Sequence, residues 1–166
     1  ELGAVVLDAD KTAREVVEPN TKGWKLIVDN FGESVLQSDK QIDRVKLGAI
    51  VFADEAKRQL LNSIVHPLVF ESQNQWLEQM ESENPQNIAI IDAALMIESG
   101  NYKRFEKLIV VWCKPEIQLE RLMLPNNLNE EEALKRIKAQ MPQEEKKRYA
   151  DYLIETSEGF EASKNQ

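Results

Sequence analysis

Two short apolar runs in this 166-residue chain end in acid. Ala4-Val5-Val6-Leu7 leads into Asp8-Ala9-Asp10, and Ile88-Ala89-Ile90-Ile91 leads into Asp92. Apolar residues that are continuous rather than alternating suit strands buried in a parallel sheet. In an open sheet of that kind, ligands bind beyond the carboxyl ends of the strands. The carboxylates gathered there, Asp8, Asp10 and Asp92, could take the proton from a hydroxyl or hold a magnesium ion. Together they make a layout for phosphoryl transfer. The same residues could also cap the helices that follow, because aspartate accepts from the free N–H groups of a helix start.

A second concentration of charge lies between Lys135 and Arg148, where Lys135, Arg136, Lys138, Lys146, Lys147 and Arg148 face only Glu144 and Glu145. A lid closing over triphosphate would use such cations to neutralise the transferring group and exclude water. A solvated helix face would carry them too. His66, the sole histidine, stands between Val65 and Pro67, where it could end a helix, satisfy a core hydrogen bond or meet substrate. Trp76 and Met80 lie on a stripe that reads as core, and Cys113 reads as a small buried hydrophobe. The six glycines, Gly3, Gly23, Gly32, Gly48, Gly100 and Gly159, form no Gly-x-x-x-x-Gly-Lys-Ser/Thr loop, so no phosphate cradle of that type is present.

The elements that must position these groups alternate between strand and helix. Leu108 to Trp112 reads as a third buried strand and Tyr152 to Glu155 as a weaker fourth. Helical patterns fill residues 10 to 84. Leu60, Leu61, Ile64 and Val65 share one face after a cap at Asp54, and a further helix is expected to open at Pro67 with Val69, Gln73, Trp76, Leu77 and Met80 on one face. The strand-poor block from Thr21 to about Pro85 is therefore expected to be a helical subdomain inserted between the first two strands. Pro115 opens another helix, ended by Pro125-Asn126-Asn127, and Asn129-Glu130-Glu131-Glu132 starts the next with acids at its positive end. From Gly159 onward a terminal helix or frayed tail is expected.

Composition narrows the function classes. With 42% hydrophobic and 30% charged residues, the chain has the balance of one folded soluble domain. The net charge of −8 argues against a broad nucleic-acid footprint, so an anionic ligand must be met locally. A single cysteine excludes an intramolecular disulfide, and one histidine excludes a His-rich zinc site. No apolar run approaches the roughly 20 residues that span a bilayer. The expectation is a cytoplasmic protein without nucleic-acid or membrane partners. Glu1 is not an initiator Met, and Glu1-Leu2-Gly3 looks like a helix ending at glycine, so the chain is expected to begin inside a longer sequence.

Further patterns recur in a fixed order. They are Glu1-Leu2-Gly3, Val6-Leu7-Asp8-Ala9-Asp10 and Ala13-Arg14-Glu15-Val16-Val17-Glu18-Pro19. Ile42-Asp43-Arg44, Leu47, Val51-Phe52-Ala53-Asp54, and Leu61-Asn62 with Ile64-Val65-His66-Pro67-Leu68 follow. Later come Asp92 with Leu95, Glu98-Ser99-Gly100, Gln118-Leu119-Glu120-Arg121, Glu130-Glu131-Glu132-Ala133, and Arg136-Ile137 with Ala139-Gln140-Met141-Pro142. In this order and spacing the chain resembles the dephospho-coenzyme A kinase family over nearly its whole length.

The resemblance implies an α/β fold with a P-loop-kinase-like parallel sheet flanked by helices, a helical substrate-binding insertion and a small helical lid. Residues 1–20, 86–123 and 149–166 would form the core of a single domain, 21–85 the CoA-binding insertion and 124–148 the lid. The implied reaction is ATP-dependent phosphorylation of the ribose 3'-hydroxyl of dephospho-CoA, with Mg2+. Asp10 matches the family's general base. Arg14, Arg44 and His66 match positions on the CoA-facing side, and Arg136 and Lys146 fall in the lid. The family's first strand and P-loop, roughly 20 to 25 residues, would precede Glu1. Without them the chain is expected to lack the ATP cradle, to be no efficient kinase alone, and to expose apolar strand neighbours. Leu124-Pro125 departs from the basic residue that relatives carry there, and Ala93-Ala94 replaces an Ile-Pro-like pair. The alternatives are a degenerate homologue that binds CoA-like ligands without catalysis, and another kinase of the nucleoside-monophosphate type.

Overall fold

Strand β1 (Val5–Asp8) runs parallel to β2 (Ala89–Asp92), in a register that pairs Asp8 with Asp92. The computed structural model describes residues 3–166, and the chain divides between Ala93 and Ala94 into two compact units. Both strands of the first unit end on their acid, as the apolar runs imply. Of the expected helix end before β1, Glu1 and Leu2 lie outside the described residues, while Gly3 holds the positive φ of +88° that glycine tolerates.

Four helices follow in the first unit: α1 (Ala9–Glu15), α2 (Lys22–Phe31), α3 (Arg44–Ala53) and α4 (Glu55–Glu83). Each has a side-chain cap: Asp8 accepts from Lys11 N–H, Thr21 from Trp24 N–H, Asp43 from Val45 and Lys46 N–H, and Asp54 from Lys57 N–H. Helices α1, α2 and α3 all pack against α4. The core lies among these helices, where Ile27 and Val35 are fully buried and Val17, Ile42, Leu47, Val51 and Ile64 surround them. Full burial of one such side chain stabilises by about 1.5–3 kcal/mol.

The expected helix start at Pro67 is not there. Helix α4 runs through it without a break, with Pro67 in its interior, so residues 55–83 form one helix and not two. Proline deprives the Ser63 carbonyl of its helical N–H partner, and tertiary burial on both sides of the proline outweighs that loss. Ile64 and Val69 flank it and are both buried, as are Gln73 and Met80 further along.

In the second unit β3 (Ile109–Trp112) pairs in parallel with β4 (Tyr152–Glu155). A parallel pair needs a long crossover. Here it contains α5 (Pro115–Asn126), α6 (Glu130–Lys138) and α7 (Gln143–Lys146), and a short α8 (Phe160–Lys164) closes the chain. Pro115 opens α5, Pro125 is accommodated in its last turn, and Asn127 ends it in the left-handed conformation. Asn129 and Glu132 form a reciprocal capping box at the start of α6. Cys113 is buried and carries no disulfide.

The strands are less covered than continuous apolar runs suggest. Val6 is 59% exposed, Val111 61% and Tyr152 58%. Each strand has a single hydrogen-bonded neighbour in its two-stranded sheet, so its other edge has no strand partner among the described residues. No helix among these residues is long and apolar enough to cross a membrane.

Gly23 tests the helical packing. A Cβ at this buried position would be driven into the Val16 carbonyl oxygen and the Leu68 side chain. Gly23→Ala is expected to lower the unfolding free energy by about 1–3 kcal/mol, measured by urea denaturation, despite alanine's better helix propensity. Unchanged or increased stability would show that α1 and α2 pack less tightly at this point.

Candidate functional site

Asp10 lies in the first turn of α1, two residues beyond the end of β1. It is exposed, and its carboxylate makes no hydrogen bond or ion pair with another described residue. Asp8 is already engaged: its Oδ1 accepts the Lys11 N–H at 3.0 Å, and its carbonyl accepts from the buried Thr12 hydroxyl at 3.0 Å. The capping alternative thus applies to Asp8 and leaves Asp10 available. Asp92 stands beside Asp8 in the register, on strands about 4.8 Å apart. Magnesium bound with a nucleotide takes one or two carboxylates and completes its shell with phosphate oxygens and water. Asp8 and Asp92 fit that mode. Among the described residues no three His, Cys, Asp or Glu side chains converge as an all-protein metal site.

Arg14, Arg44 and His66 sit on three helices of the same unit. Arg14 is in the last turn of α1, Arg44 is the first residue of α3, and His66 is in the interior of α4, against which α1 and α3 pack. All three side chains are exposed. His66 neither ends a helix nor serves the core; its ring lies 6.2 Å from that of Phe70, one turn on. Arg44 is placed by a chain of local contacts. An isolated bridge joins Leu36 to Ile42, Trp24 Nε1 donates to the Lys40 carbonyl at 2.7 Å, and Asp43 N–H donates to the Val35 carbonyl at 2.8 Å. Asp43 then caps α3 and pairs with Lys46 at 3.4 Å. The Lys46 backbone N–H is the largest influence on the Asp43 carboxyl. With the Lys46 ammonium and the Val45 N–H, it holds the group below its ordinary value against a smaller opposing effect of burial.

In the second unit, Arg136 is exposed on α6 and makes no ion pair with a described residue. Lys146 is committed: its ammonium lies 2.8 Å from Glu98 Oε1 and donates to the Ala94 carbonyl at 3.0 Å. Lys147 Nζ stands 3.3 Å from the centre of the Trp112 ring and pairs with Glu144. Three residues without a role in the sequence reading organise this unit. Glu98 binds Lys146. Arg121 donates to the Thr156 hydroxyl at 2.9 Å and its carbonyl at 2.6 Å, fixing the chain just beyond β4. Gln143 accepts from Cys113 N–H at 3.1 Å and donates to Gln118 at 2.8 Å. Arg121 and Glu98 lie within the recurring patterns, but their partners are distant in sequence and have no local signal.

The family model described as dephospho-CoA kinase matches residues 1–161 of this chain. The chain belongs to the dephospho-CoA kinase family. It is 45% identical over 166 residues to the dephospho-CoA kinase of Bacillus anthracis, covering 100% of this chain and 82% of that protein. To the dephospho-CoA kinase of Syntrophus aciditrophicus it is 40% identical over 152 residues, 92% of this chain; the match spans 65% of that longer protein. The solved structure of the dephospho-CoA kinase from Campylobacter jejuni superposes with a TM-score of 0.71 at 28% identity, covering 99% of this chain and 81% of that one. The fold is that of this family: α/β, with parallel strands flanked by helices. The family is one of phosphotransferases that use ATP as phosphoryl donor in the last step of CoA biosynthesis.

For this family member, the Asp43 cap that positions Arg44 has a pH signature. A carboxyl held low in the folded state contributes stability in full above its unfolded value of about 3.9, and loses it as pH falls through the lower folded value. Asp43→Ala is therefore expected to lower the thermal midpoint at pH 7, with the difference from wild type shrinking below about pH 4. A difference that stayed constant across that range would show that the charge of Asp43 contributes nothing.

Proposed function

We propose that the protein transfers the γ-phosphoryl group of ATP to the ribose 3'-hydroxyl of dephospho-CoA, giving CoA and ADP. The observation that carries this reading at the site is Asp10, an exposed carboxylate just past a strand end, without a partner among the described residues, in a chain of the dephospho-CoA kinase family. Asp10 takes the proton of the 3'-hydroxyl as its oxygen attacks the γ-phosphorus, and the bond to the ADP oxygen breaks in line. Arg14, Arg44 and His66 bind the acceptor, supported by their exposure on helices that share α4 as a scaffold. Arg136 brings positive charge to the transferring group, and Lys146 belongs to the same lid. Asp8 and Asp92 would hold Mg2+, which when bound neutralises phosphate charge.

In this assignment residues 1–20, 86–123 and 149–166 form the kinase core, 21–85 the CoA-binding insertion and 124–148 the lid. A cytoplasmic location goes with the reading, supported by the single buried thiol of Cys113.

The test is turnover by the full-length protein with ATP and a panel of acceptors. Dephospho-CoA is expected to be used far better than nucleotides lacking the pantetheine arm. Asp10→Asn is expected to lower kcat by about 10²–10⁴-fold while leaving the thermal midpoint unchanged. His66→Ala is expected to raise KM for dephospho-CoA and not for ATP. Wild-type turnover in the Asp10 variant would remove Asp10 as the base, and preference for a simple nucleotide would reassign the acceptor.

A further inference from the structure

Three ion pairs among the described residues hold nothing that their helices do not already hold. Lys11 with Glu15, Arg58 with Glu55, and Lys135 with Glu131 join neighbours on one helix, and every partner is more than half exposed. Glu98 and Lys146 differ on both counts. Their side chains are only 23% and 15% exposed. One carboxylate oxygen of Glu98 takes the Lys146 ammonium at 2.8 Å and the Met141 N–H at 3.2 Å, and the same ammonium donates to the Ala94 carbonyl at 3.0 Å. Residues 43 to 52 positions apart are thereby tied together. Met141 and Lys146 bracket the end of the basic stretch that begins in the last turn of α6, and Ala94 comes two residues after Asp92. A lysine balanced by a carboxylate at hydrogen-bond distance adds little net positive potential to a nearby phosphate. What the pair supplies is a fixed separation between two segments.

We infer that Glu98 is a positioning residue, which through Lys146 and the Met141 N–H anchors the foot of residues 135–146 on residues 94–98. Arg136, whose charge no described carboxylate balances, is thereby presented to the phosphoryl group from a set base. The inference rests on the kinase reading of this segment. The two lid cations then differ in what they do, since Arg136 meets charge and Lys146 holds place.

The experiment compares wild type, Glu98→Gln and Lys146→Met in the full-length protein. It measures kcat and KM for ATP below the thermal midpoint of each, with folded fraction followed by circular dichroism. Positioning predicts that both variants lose about tenfold in kcat per folded molecule while KM for ATP stays within about twofold. A purely structural pair would leave kcat per folded molecule unchanged, and that result overturns the inference. A lower KM for ATP in Glu98→Gln with a higher one in Lys146→Met also overturns it, since Lys146 would then touch phosphate and Glu98 would merely compete for it. If Glu98→Gln does not fold, Lys146→Met decides by the same split between kcat and KM. Wild-type protein without turnover on dephospho-CoA sinks the kinase reading and the inference together, whereas an active wild type with unaffected variants sinks the inference alone.

Discussion

The first unit depends on the burial of one long helix against three shorter ones. Helix α4 has 29 residues and, at 1.5 Å per residue, a length of about 43 Å. A proline in a helix interior costs about 3 kcal/mol. Burying Ile64 and Val69, on either side of Pro67, returns about 1.5–3 kcal/mol each, enough to carry the helix through. Because α1 and α3 pack on the same helix, Arg14, Arg44 and His66 belong to one scaffold whose continuity rests on that balance.

An acidic protein that handles anions must keep some cations out of its own ion pairs. Lys11, Lys46, Arg58, Lys107, Lys135, Lys146 and Lys147 are matched with carboxylates. Arg14, Arg44 and Arg136 have no such match among the described residues, and they are three of the four arginines and lysines that the family resemblance singles out for the site. Exposed pairs contribute little to stability, so leaving these arginines uncommitted costs the fold little.

Local chemistry is readable from residue type, and distant pairing is not. The Asp54 cap, the helix opening after Asn129, the start of α5 at Pro115 and the span of β4 follow from residue type within a few positions. The strand ends at Asp8 and Asp92 are legible for the same reason. The passage of α4 through Pro67 is not, because propensity argues against it and only packing from elsewhere in the chain decides the outcome. For the candidate site, residue types at strand ends and the family patterns point to Asp10. They do not show that Asp8 alone takes up the cap, or that Lys146 is bound to Glu98. Those outcomes depend on three-dimensional neighbours, and no spacing rule encodes them.

The stacking of Lys147 on Trp112 gives the second unit an optical property. The chain has three tryptophans, and Trp112 is the sole indole of residues 94–166, the others being Trp24 and Trp76. An ammonium 3.3 Å from the ring centre perturbs the excited state of that indole, and Lys147 directly follows the last residue of α7. With Trp24 and Trp76 replaced by phenylalanine, the fluorescence of a single native chromophore would follow the end of α7 in real time. The protein thus carries an intrinsic label at the foot of its basic segment, with no dye attached.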